Sequence, residues 1–102
     1  MVRDRRTEPR CRINQLGLLK SKAAGTAAVR VVDVSRSGMR VLMPFRLPLQ
    51  DEVELHSENT TIGGVVRNCT CRSAIEFHVG IEVAESSQLA LRVLKRTFLY
   101  RI

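Results

Sequence analysis

Tryptophan is absent from this 102-residue chain, and aromatic side chains make up only 4% of it. A core must therefore be assembled from Val, Leu, Ile and Ala rather than from packed rings. Histidine occurs twice, at His56 and His78, and neither has a partner motif nearby to make it a catalytic acid or base. No apolar run approaches the roughly 18 residues that a membrane-spanning helix needs. Met1-Val2-Arg3-Asp4-Arg5-Arg6 has no apolar stretch behind its charges, so a secretory signal is not expected. The three cysteines then read as reduced thiols, and a cytoplasmic location is expected. Missing too are a Gly-rich phosphate loop ending in Lys-Ser/Thr, a nucleophile elbow and paired zinc-ligand spacings. Length adds a further exclusion. A chain of this size makes one domain and buries only about two-thirds of its unfolded surface, which leaves little room for an enclosed active-site cavity. Neither an enzyme nor a cofactor is expected.

What is present is charge of one sign, unevenly placed. Hydrophobic residues reach 44%, enough for a packed core, and the formal net charge is +7. Fourteen of the 17 basic residues are arginine. Residues 1–50 carry a net +8, residues 51–85 a net −5, and residues 86–102 a net +4. A basic front half beside an acidic middle suggests an anionic partner held at one site. Guanidinium is a planar five-donor fork suited to phosphates and base edges, whereas Lys is a point charge. The plainer alternative is a solvated, soluble surface.

Residues 1–12 are polar, Arg-rich and interrupted by Pro9, which pushes Glu8 into extended backbone. This stretch reads as a flexible arm, with a single domain over 13–102. Strand patterns follow over Arg12–Lys22, Ala27–Val34, Met39–Met43, Glu52–His56, Thr60–Thr70 and Ala74–Val83. In the last of these Ile75, Phe77, Val79, Ile81 and Val83 alternate against polar residues. Gly63-Gly64 suggests a bulge. The tail changes period: Ser86 or Ser87 can cap a helix over about 86–101, with Leu91, Leu94, Phe98 and Ile102 on one face. Six short strands with regular turn signals and one terminal helix make an all-β antiparallel barrel or sandwich.

Two segments carry chemistry. The arm holds Arg6 and Arg10 in an R-x-x-x-R spacing, which alone is weak because Arg36/Arg40 and Arg92/Arg96 repeat it. Asp33-Val34-Ser35-Arg36-Ser37-Gly38 is a D-x-S-x-x-G pattern closing the best strand. By itself it is also a well-made turn, with Asp and Ser bonding local backbone and Gly at a positive φ. Cys69-Thr70-Cys71 could point two thiolates to one face, but no second ligand pair follows at a recognisable spacing, so no metal is expected.

In this order the two segments resemble the PilZ domain, a bacterial receptor module for the second messenger cyclic di-GMP. Arg6, Arg10, Asp33, Ser35 and Gly38 match the family pattern without substitution, and Glu52–Leu55, Gly64–Arg67 and Val79–Val83 resemble its later strands more loosely. The resemblance covers nearly the whole chain and implies a stand-alone member with no attached output domain. It implies a six-stranded antiparallel β-barrel with a C-terminal helix, and a cyclic di-GMP site formed by Arg5, Arg6, Arg10, Asp33, Ser35 and Gly38. The extra Arg5 before the motif implies a stacked ligand dimer. The chemistry is compatible: the ligand is a dianion with two guanines, and Arg forks onto phosphate oxygens or guanine O6/N7. Arg can also stack on the base. Asp33 offers an acceptor for guanine N1 and N2 donors. Ser35 is expected on the same side, reaching the ligand or bracing Asp33. Gly38 keeps a side chain out of the pocket. The arm is expected to order over the barrel when ligand arrives.

The leading expectation is a cyclic di-GMP receptor or adaptor that changes shape and signals to a protein partner. One alternative is a PilZ-like interaction module that does not use the nucleotide. Another is a small-barrel nucleic-acid binder, suggested by the basic charge. Against that last one, Phe45, Phe77, Phe98 and Tyr100 form no base-stacking platform, so no DNA or RNA partner is expected.

Overall fold

Most strands of this chain alternate buried apolar residues with more exposed ones, and that alternation gives them one dry face and one wet face. The computed structural model describes residues 8–100, with side chains through Arg96. The strands are β1 (Cys11–Ser21), β2 (Gly25–Val34), β3 (Gly38–Met43), β4 (Glu52–Ser57), β5 (Thr60–Ser73) and β6 (Glu76–Val83). A 3-10 turn at Glu85–Ser87 leads into α1 (Gln88–Tyr100). The strands close in the order β1-β2-β3-β6-β5-β4, and every pairing is antiparallel. The closing seam joins β1 to β4, with Leu19 opposite Leu55 and Lys20 opposite Glu54. The architecture is therefore an all-β closed barrel with one C-terminal helix, and the sandwich alternative falls away.

Inside the barrel the dry faces meet. Leu19, Val31, Val41, Leu55, Ile62, Val66, Val79 and Ile81 are fully buried. Burying side chains of this size contributes about 1.5–3 kcal/mol each, so the aliphatic core compensates for the scarcity of rings. Helix α1 plugs one end by placing Leu91 and Leu94 against that core. Ser87, a cap candidate, also accepts the Gly63 N–H through Oγ at 3.0 Å, tying the helix entrance to β5. At the β1–β2 turn, buried Asp51 accepts from Ser21 Oγ (2.5 Å) and from the Ala23 N–H (3.1 Å). Gly25 takes φ +84 there, a left-handed conformation that costs a glycine little.

Several details differ from the sequence expectations. Strand β1 already starts at Cys11, paired with Val34, so pairing begins inside the span assigned to the arm. Gly63 and Gly64 sit in unbroken register opposite Glu54 and Val53. The irregularities of β5 lie instead between Val66 and Asn68 and between Cys71 and Ser73. Ile75 continues the alternation on paper but belongs to the β5–β6 turn, 77% exposed, because the chain reverses before its side chain can reach the core. The Phe98 side chain and Ile102 lie outside the described residues.

Candidate ligand site

A pair of register shifts builds the site. Going down β2, Val29 and Val31 point inward, and strict alternation would send Asp33 into the core as well. Across β2–β3, however, the register slips between Val31 and Asp33, so Val32 is an extra residue. A compensating slip falls between Arg12 and Gln15 on β1. Such bulges re-aim side chains. Here the phase change sends Val34 into the core and turns Asp33 outward, opposite Arg12 on one side and Arg40 on the other. A third register shift, at Arg67, sets Asn68 opposite Gly80, which pairs in turn with Arg40. One register row thus runs Arg12, Asp33, Arg40, Gly80, Asn68 across five strands of the barrel wall.

Gly80 leaves a dip in this row. A Cβ there would meet the Asn68 amide, with Oδ1 2.5 Å and Cγ 2.8 Å away. The dip is a groove of about 150 Å³ lined by Arg10, Gly38, Arg40, Arg67, Asn68 and Gly80. Enclosed small-molecule pockets usually hold about 300–1,000 Å³, so a dinucleotide would lie on this surface rather than sink into it. A larger groove of about 1040 Å³ opens elsewhere, between β1, β4, β5 and the start of α1. No residue of either motif lines it, and of its cations Lys20, Lys22 and Arg67 the last two are paired with Glu52 (3.3 Å) and Glu82 (2.5 Å).

The two motifs meet in space. Arg10 Nη1 donates to Asp33 Oδ1 at 2.7 Å, and Arg40 Nε stands 3.6 Å from Asp33 Oδ2. Asp33 is thus held between two guanidiniums, with only 14% of its side chain exposed. Ser35 and Ser37 both donate their hydroxyls to the carboxylate of Glu8, at 3.1 Å and at 2.8–2.9 Å. The partner of Ser35 is therefore Glu8 and not Asp33. The turn itself closes through the Ser35 N–H to the Gly38 carbonyl (2.8 Å), and Val83 N–H docks on the Ser37 carbonyl (2.8 Å). Among the described residues positive φ occurs at Gln50, Glu58 and Gly25, so Gly38 opens β3 without the left-handed backbone expected of it. Arg5 and Arg6 lie outside the described residues.

Sequence reasoning passed over Glu8, Arg40, Asn68 and Gly80. Arg40 was visible only as a chance repeat of the arginine spacing, and nothing local links Glu8 to serines 27 and 29 residues away. A signal did exist for Arg40: it follows the signature glycine by two, at the hairpin position that faces Asp33 once β2 and β3 pair. Of the span assigned to the arm, the described residues Glu8 and Arg10 are held by these polar contacts. A family model described as "PilZ domain" matches residues 4–99 of the chain. Among curated proteins none matches the chain with significance.

Proposed function

The chain belongs to the PilZ domain family, and from that membership we propose that it is a cyclic di-GMP receptor whose ligand site is the register row around Asp33. The single observation that carries the reading is the contact between the two signature segments, Arg10 on Asp33 at 2.7 Å, across 23 residues of sequence. Asp33, Ser35 and Gly38 are the proposed ligand residues on the barrel, with Arg5, Arg6 and Arg10 contributed by the arm. Each has a task the ligand's chemistry defines. Arginines fork onto phosphate oxygens or the guanine O6/N7 edge, and the Asp33 carboxylate accepts from guanine N1 and N2. Because the groove is shallow, the arm forms the second wall, and its rearrangement over the bound ligand is the conformational signal passed to a protein partner. Two stacked ligand molecules per chain are proposed from the additional Arg5. No helix among the described residues is long and apolar enough to cross a membrane, and a cytoplasmic location is proposed with the messenger. Isothermal titration of cyclic di-GMP tests the proposal, and absence of saturable binding would refute it.

A further inference from the structure

Glu8 lies between the two signature arginines of the arm, and it is buried, with 8% of its surface exposed. Its carboxylate accepts hydrogen bonds from the hydroxyls of Ser35 and Ser37 at 2.8–3.1 Å. A serine has one hydroxyl proton to give, and an ionised carboxylate only accepts, so these are charge-assisted bonds of the stronger class. A phosphate oxygen is chemically alike: anionic, acceptor-only and in need of the same Ser35 proton. The next acceptor near Ser35 Oγ is the Gly38 carbonyl at 3.4 Å, a poorer partner. An anionic ligand in contact with Ser35 would also face the Glu8 charge at close range, which is repulsive at any dielectric.

We propose that Glu8 is a resident competitor in the ligand site: its carboxylate, held in place by Ser37, stands in for a ligand anion on Ser35, and cyclic di-GMP binds by displacing it from Ser35. The inference rests on the proposed function above and adds to it an autoinhibitory clasp built into the arm. Displacement frees the chain at Glu8, so the same event that admits the ligand lets the neighbouring Arg10 turn onto it. The clasp also fixes a threshold, since ligand must replace Glu8 at Ser35.

The test is calorimetric titration of cyclic di-GMP into the wild-type chain and into Glu8→Gln, Glu8→Ala and Ser37→Ala. Ser37→Ala loosens the clasp while leaving Asp33, Ser35 and Gly38 intact. Glu8→Gln and Ser37→Ala should bind about 3- to 10-fold more tightly than wild type, and Glu8→Ala about 10-fold or more, the scale of one or two lost hydrogen bonds. Amide exchange at Arg10–Arg12 in the ligand-free protein should be faster in Glu8→Ala. If the wild type binds and the variants bind equally or more weakly, Glu8 braces the site and the clasp is overturned. If no protein binds, the receptor function itself falls and the clasp with it.

Discussion

At the residue scale, Asp33 is the informative position because electrostatics and recognition make opposite demands on it. Removing an acid from a chain of net charge +7 should strengthen the binding of any anion. If Asp33 reads guanine N–H donors, Asp33→Ala should instead weaken cyclic di-GMP by at least about 1 kcal/mol, or roughly fivefold, in titration. Arg10→Ala removes one of the arginine forks lining the groove and should cost about 1–3 kcal/mol, roughly 5- to 150-fold in affinity. The double variant Arg92→Ala/Arg96→Ala repeats the arginine spacing on exposed positions of α1 and should leave affinity nearly unchanged. That control separates the motif from charge in general. Of the proposed site, Arg10, Asp33, Ser35 and Gly38 were legible because together they match the family pattern, neither spacing being specific alone. Glu8 was not, because a carboxylate meeting two hydroxyls across the chain leaves no local pattern.

At the element scale, what could be read in the sequence followed from period. Valine-rich runs alternating with polar residues marked the strands, and Leu91 and Leu94 marked the buried face of α1. The bulges could not be read, since Val32 looks like one more strand residue until β3 pairs beside it. Without that extra residue Asp33 would face the core. Gly64 makes the complementary point. It was expected to mark a bulge, yet it is a regular strand residue at a site of close approach, where a Cβ would strike the Glu82 carbonyl oxygen and Ile81 Cγ2. Because one obstacle is backbone, the sheet must shift to accept a methyl group. Gly64→Ala should therefore destabilise the barrel by about 1–3 kcal/mol. Thermal melting would report this as a fall of about 4–8 °C per kcal/mol for a domain of this size. An unchanged melting temperature would contradict the close packing of β5 on β6.

At the scale of the whole molecule, charge is segregated: the basic front half supplies β1–β3 and the arm, while the acidic middle supplies β4–β6. A basic face invites the nucleic-acid alternative, and salt separates the two. A polymer that releases condensed counterions loses about 10³–10⁵ in affinity between 50 and 200 mM salt for 6–10 phosphate contacts. Cyclic di-GMP carries two phosphates and makes base contacts that salt screens weakly, so its affinity should fall less than about tenfold over that range. The central claim is that the meeting of the two signature segments, and not the basic surface, holds the messenger. Titration of cyclic di-GMP into the wild-type chain and into Arg10→Ala/Asp33→Ala at 150 mM salt tests it most directly. Saturable binding by the wild type that is lost or weakened at least about tenfold in the double variant is the predicted result. No binding by the wild type, or equal binding by both proteins, would contradict it.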